Sequence, residues 1–427
     1  MAGFLGMRGT GDWTTDERPK RFREGILYLY PNGMAPLTAI LSKMSDEKID
    51  DPEFSWFTET LPTQAATPTG IYTNSAMSTA YVSSGTAGQT LWVKMVEASV
   101  KEFRVGHTVI MRYTSDYNVD VMAKVTDTQV NGANSFVAVK LLEADDNSDN
   151  FDLSDCDRIL IVGNSNTEGG SSPDAVSYDV TKIYNYTQIW KDTLEITRTM
   201  KMTKLRTGDA YKRLKQRTLE LHSIGMEKSA IWGIPTENVG SNGKFERTTG
   251  GLIYAIKTYA PNNVVDYMTD TTYAGDSWLT GGEEWLDSKL EAIFRYGSKE
   301  KLAFCGTGAL LGINRLVKNG GNFDFSAKTK AYGIQVIEWV TAFGIINLVT
   351  HPLFSHEVTN RHSMVVLEPK NIKFNYITDT TFQEDIGDKD FDGNKDQYLT
   401  EGGFEYHFPE GWGYLNNVGK DNELAGS

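Results

Sequence analysis

Between residues 63 and 89 the chain reads TQAATPTGIYTNSAMSTAYVSSGTAGQ, a stretch in which small and polar side chains dominate. Fixing one backbone residue costs about 1 to 2 kcal/mol, and so few apolar groups cannot offset that by packing on one another. The segment is expected to be an extended, partly mobile loop that becomes ordered only against another surface. Any fold for this chain must therefore join a long excursion to a body that carries the core.

The rest of the sequence can supply such a body. At 427 residues the chain exceeds what one compact core serves, and two or three domains are expected. Its 40% hydrophobic and 23% charged residues sit near globular averages, which excludes collagenous and wholly disordered classes. Forty glycines and many aromatic residues, with recurrent Asn-Gly and Thr-Gly steps, indicate numerous turns and much β structure. The formal charge of -14 argues against binding nucleic acid over the whole surface. Cys156 and Cys305, the only cysteines, give neither a disulfide framework nor a cysteine-rich zinc site, as suits a reducing compartment. The opening MAGFLGMRGTGDW lacks a charged start followed by an apolar run, and nowhere do about 18 apolar residues run together. The expectation is a protein neither exported by that route nor spanning a membrane.

Residues 1–32 read as an extended arm with a basic cluster, Arg18, Lys20, Arg21 and Arg23. Leu37, Ile40, Leu41 and Met44 follow at helical spacing and predict a short amphipathic helix. DPEFSWFTE alternates Phe54 and Trp56 against Ser55 and Phe57 and predicts a strand. Regularly spaced β-rich runs over residues 90–164 predict a small inserted β domain. Residues 207–232 form the longest helix candidate, roughly 35 to 40 Å, with Gly233 and Pro235 as stop signals. Two further helices, at 282–296 and 309–317, flank the strand LAFC, and strands GIQVIEWVTA, GIINLVTHPL, SMVVLEP and NIKFNYI follow. Helices and strands interleave without a regular βαβ period, which indicates a mixed α+β body.

Chemical motifs are few. CGTGALLG, with Gly306, Gly308 and Gly312, fits a dinucleotide-binding turn only loosely, and a tight strand-to-helix corner needs the same glycines. GDSW holds Ser277 far from a strand-turn-helix elbow. His351, His356 and His362 are interrupted by Pro352, which is expected to break helical spacing and leave them in loops and strand edges. In DKDFDGNKDQYL, Asp388, Asp390, Asp392 and Asp396 match positions of a calcium loop, but Leu399 stands where a bidentate glutamate is required, so a solvated acidic turn is the alternative. The basic cluster fits phosphate or acidic-neighbour contacts as well as a solvated arm. No coherent catalytic constellation, cofactor or metal site is expected, which favours a structural or binding protein.

The order of these pieces resembles the tailed-bacteriophage major capsid family, of the Hong Kong 97-type capsid fold. DPEFSWFTE resembles the entry strand of that family's extended loop, NYTQIW its return strand, and residues 207–233 its long spine helix. YGIQVIEWVTAFGIINLVTHPLF is similar to the axial-domain strands, and LEPKNIKFNYI with TEGGFEYHFPEGWGYLNNV to the closing strands.

The resemblance implies an α+β fold with an N-terminal arm at 1–50, an extended loop at 51–89 and 165–205, and an inserted barrel or sandwich at 90–164. It implies a peripheral domain at 206–285 and 362–427 and an axial domain at 286–361. Function would be mechanical, with pentamers and hexamers forming an icosahedral shell around non-specifically held double-stranded DNA. Portal, scaffolding or decoration proteins would be further partners, with no membrane and with assembly in the host cytoplasm. Subunit contacts are expected at Arg18, Lys20, Arg21, Arg23, Phe54 and Trp56. The alternatives are an encapsulin-like compartment, a β-rich tail or receptor-binding protein, or an enzyme using Ser277 or the glycine turn at Gly308.

Overall fold

The computed structural model describes residues 45–59, 62, 64–145, 151–169, 173, 175, 177–203, 208–320, 325–331, 334–387, 390 and 392–424. The arm, its basic cluster and the helix expected near residues 34–44 lie outside the described residues. The chain divides into two units, one from the described parts of Met1–Thr58 and Lys182–Ser427, the other from Glu59–Thr181. The first unit opens with β1 (Ser45–Lys48) and β2 (Glu53–Thr58).

The second unit contains β3 (Ala65–Ala66), β4 (Gly70–Tyr72), β5 (Thr90–Lys94), one turn of helix α1 (Glu97–Val100), β6 (His107–Tyr113), β7 (Asp116–Gln129), β8 (Phe136–Leu141) and β9 (Arg158–Asn164). They form one sheet in the order β3-β9-β6-β7-β8-β5-β4. At about 4.8 Å between neighbours, a flat sheet of this size would separate its edges by roughly 29 Å. Only residues 67–69 join β3 to β4, a link that reaches about 14 Å at most. The sheet must therefore curl until its two edges approach. Strict alternation sets the inner face: in β5 Leu91 and Val93 are buried, and in β6 Val109 and Met111.

This geometry corrects the reading of residues 63–89 as a loop with little core. Ala65–Ala66 pairs with β9 and Gly70–Tyr72 with β5, while Ala66, Ile71 and Tyr81 join the core. Tyr81 donates its hydroxyl hydrogen to Asp145 Oδ2 at 2.5 Å and accepts from Gly85 N–H at 2.7 Å. Three anchors among polar residues suffice because β9 and β5 already offer unpaired backbone at the sheet edges.

In the first unit, β10 (Thr181–Tyr186) pairs with β2 as a ribbon. Then come β11 (Gln188–Thr197), α2 (Arg198–Met202), α3 (Ala210–Trp232), the hairpin of β12 (Thr236–Val239) and β13 (Phe245–Thr248), α4 (Leu252–Tyr259) and β14 (Val264–Asp266). They are followed by α5 (Trp278–Phe294), β15 (Glu300–Cys305), α6 (Thr307–Gly320), β16 (Phe325–Ala331), β17 (Ile334–Val340), β18 (Ile345–Thr350) and α7 (Pro352–His356). The chain closes with β19 (Met364–Leu367), β20 (Ile372–Gln383), β21 (Gly393–Tyr406) and β22 (Gly413–Asn416). The unit is α+β, with a four-stranded sheet, β1-β20-β21-β11, and a seven-stranded one, β14-β22-β19-β15-β18-β17-β16.

The longer sheet cuts across the expected division at residues 285 and 361. β19 pairs with β15 and with β22, so strands read as peripheral and strands read as axial share one hydrogen-bonded ladder. The reason is that Met364–Leu367 is buried on both faces and needs a central position. α3 starts where Asp209 accepts from the Tyr211 and Lys212 N–H groups and ends at Gly233. A Cβ at Gly233 would stand 2.4 Å from the Thr249 carbonyl oxygen, so the chain can turn there only with glycine.

Candidate assembly surfaces

Four polar contacts, two of them buried, fix α3 to the body. His222 Nδ1 lies 2.7 Å from Asp192 Oδ2 and its Nε2 2.8 Å from Thr400 Oγ1, tying the helix to β11 and β21. Trp190 donates its indole N–H to Ser229 Oγ at 3.2 Å. Glu227 Oε1 lies 2.8 Å from His351 Nε2, with both side chains wholly buried. Pro352 takes the first turn of α7, where a missing N–H costs nothing, so the helix begins after His351, which stands at the end of β18. His351 caps that helix from the strand edge and is buried in the core.

With the body rigid, what it leaves outside becomes informative. The ribbon strand β2 turns Phe54 and Trp56 inward: Trp56 meets Tyr406 edge-on at 5.1 Å, and Phe54 stacks on Trp56 at 6.1 Å. Phe57 points the other way and is 65% exposed. In the β12–β13 hairpin, Glu237 faces Arg247 and Val239 faces Phe245, so these four share one face. Arg247 bonds Glu237 at 2.6 Å and lies 5.0 Å from the Phe245 ring centroid, yet Val239 and Phe245 remain 69% and 62% exposed. Sequence reasoning missed Phe57, Val239 and Phe245; the opposite phase of Phe57 to Trp56 was the one available signal.

The remaining motif residues serve structure. Gly306 packs on the Arg361 backbone, Gly308 on His362, and Gly312 on Gly419, each closer than a Cβ allows. Ser277 is the N-cap of α5, 2.9 Å from Thr280 Oγ1. Burial pushes the Cys156 and Cys305 thiols up to about 12, far from reactive values. Asp388 lies outside the described residues; Asp390 is in a turn, and Asp392 accepts from Arg198 Nε at 2.8 Å. Asp396 is buried in β21, where it takes the Tyr211 hydroxyl at 2.6 Å and the Asp385 N–H at 2.8 Å.

Phe57, Val239 and Phe245 are thus large apolar side chains held outward on ordered strands. A family model described as SU10 major capsid protein matches residues 8–419. The chain belongs to the SU10 major capsid protein family. The major capsid protein of Pseudomonas phage PaMx41 is 22% identical over 222 residues, which are 52% of this chain and 52% of that one. The match thus spans about half the length of that relative. Among solved structures, the capsid of a native GTA particle is 8% identical over 96% of this chain and 98% of its own, with a TM-score of 0.45. A Microbacterium phage Oxtober96 structure gives the same figures. The encapsulin of a Synechococcus elongatus holo-SrpI complex is 12% identical over 56% of this chain and 78% of its own, at 0.39.

Proposed function

We propose that this protein is the shell-forming subunit of a tailed double-stranded DNA phage, self-assembling into pentamers and hexamers of an icosahedral capsid of the Hong Kong 97 type. The observation that carries this reading is the set of apolar side chains, Phe57, Val239 and Phe245, held outward by ordered strands of a family member. Exposed on a monomer, they would favour aggregation; covered by neighbouring copies, they stabilise a particle. In this reading α3 is the spine helix of the peripheral part and the seven-stranded sheet belongs largely to the axial part. The basic cluster Arg18, Lys20, Arg21 and Arg23 contacts neighbours or packaged DNA without sequence preference. Portal and scaffolding proteins join during assembly in the host cytoplasm.

The test is to concentrate the purified chain and examine it by light scattering and negative-stain microscopy. Closed particles of uniform diameter are expected. A protein that stays monomeric, or forms only trimers or fibres, would overturn the reading.

A further inference from the structure

Among the described residues, two exposed turns contain an Asn-Gly step, Asn131–Gly132 between β7 and β8 and Asn242–Gly243 between β12 and β13. Such a step is reactive because glycine has no Cβ to shield its nitrogen from the carboxamide carbon of the preceding asparagine. In an unfolded chain the two sites are alike, and the fold makes them different. At Asn242 both reacting groups are held. Gly243 donates its N–H to the Gly240 carbonyl oxygen at 2.9 Å, and Asn242 Oδ1 accepts from the Lys244 N–H at 3.0 Å. Attack requires both bonds to break, which slows it by roughly tenfold or more.

At Asn131 the hydrogen bonds fall elsewhere in the turn. Ser135 Oγ accepts from the Asn131 backbone N–H and donates to the Gly132 carbonyl oxygen, both at 2.8 Å, while the Asn134 N–H reaches the Asn131 carbonyl oxygen at 2.9 Å. The backbone is thereby fixed, yet the Asn131 carboxamide is exposed and no hydrogen bond holds it among the described residues. A Cβ on Gly132 would meet nothing within 4 Å, so its surroundings are open. The Gly132 N–H faces the Glu97 carboxylate across a surface cleft that both residues line. Glu97 is open to water, and its carboxyl is held below the ordinary range, first by the Lys101 ammonium at 2.9 Å and to a smaller extent by that N–H. An ionised acceptor therefore stands beside the nitrogen that must lose a proton in order to attack.

We propose that Asn131–Gly132 is a self-modification site of the folded protein, with Glu97 as the base, and that Asn242–Gly243 is not. The Gly132 nitrogen forms a bond to Asn131 Cγ, and its proton passes by way of Glu97 to the departing Nδ2. The Cγ–Nδ2 bond breaks and ammonia leaves, giving a cyclic imide. A water molecule then opens the imide at either carbonyl, giving aspartate or isoaspartate. Asparagine and water thus become acid and ammonia, with no oxidant or cofactor. Each event adds a negative charge to the cleft that Lys94 also lines, and the isoaspartate product adds a backbone methylene to the β7–β8 turn. No second copy takes part, so the site stands apart from the shell reading.

The experiment uses the full chain, incubated at mildly alkaline pH both native and in urea, and sampled by ion-exchange chromatography and peptide mass mapping. Native protein is expected to convert Asn131 at least about tenfold faster than Asn242, while in urea the two rates agree within about twofold. Asn131→Gln removes the early acidic form of the native chain. Glu97→Gln, its fold checked by an unchanged melting temperature, slows conversion of Asn131 severalfold and leaves Asn242 as it was. A native Asn131 no faster than Asn242, including the case in which both stay intact while urea converts them, overturns the site. An Asn131 rate that Glu97→Gln leaves unaltered or raises overturns the base.

Discussion

Glu227 of α3 and His351 before α7 stand 124 residues apart in sequence and 2.8 Å apart in space, with neither side chain reaching solvent. The rings of Phe304 and Phe354 meet the imidazole edge-on at 5.5 Å each, so no water can replace a lost partner. Removing one member takes this buried contact from the other where no water can restore it, which costs about 3 kcal/mol. Glu227→Ala and His351→Ala are each expected to lower stability by that order in urea unfolding. A double variant should lose much less than the sum, because the two losses are one contact seen from two ends.

Among the described residues, the second unit holds a core drawn only from its own segment, residues 66–161. A fragment of residues 59–181 is therefore expected to fold alone and unfold in one cooperative transition, followed by circular dichroism. The same core predicts that deleting residues 63–89 from the fragment abolishes the transition, since β3, β4, Ile71 and Tyr81 go with it. A deletion variant that melts like the parent would show that this stretch is dispensable for the fold.

Asp270 supplies a pH dependence. Burial works to raise its carboxyl, but the Thr272 N–H at 3.0 Å, the Lys289 ammonium at 3.1 Å and the Trp285 indole N–H at 2.9 Å outweigh it and hold the group below its usual range. A carboxylate depressed in the folded state stabilises above its unfolded value, about 4, and loses that contribution as pH falls through the lower folded value. Asp270→Asn should cost about 1 kcal/mol at neutral pH, and the gap from wild type should close as thermal melts are taken to pH values below about 4. A gap that widens on acidification would contradict this assignment.

Long, self-consistent elements were legible in the sequence. α3 announced itself by a helix-compatible run ended by Gly233, and α5, α6, β15 and β17–β20 by hydrophobic pattern. β3 and β4 were not legible, because strands of two and three residues carry no period; their pairing is decided by the edges of β9 and β5. The sharing of one ladder by β14, β22 and β19 with β15–β18 depends on contacts between distant segments, which local pattern does not encode. The alternation of Phe54 and Trp56 was legible, but that this side of β2 packs on Tyr406 was not. Leu221 looked like an ordinary helix apolar position until the orientation of α3 was known.

The curled sheet of residues 59–181 has one further effect. Its two terminal strands are only two and three residues long and sit near each other, so an incoming peptide finds almost no row of unused amide and carbonyl groups to copy. Docking on this unit must then proceed through side chains on its outside, such as Val82 and Val162. A protein held at very high local concentration gains from that arrangement, because stacking of like sheets into fibrils is denied a starting template.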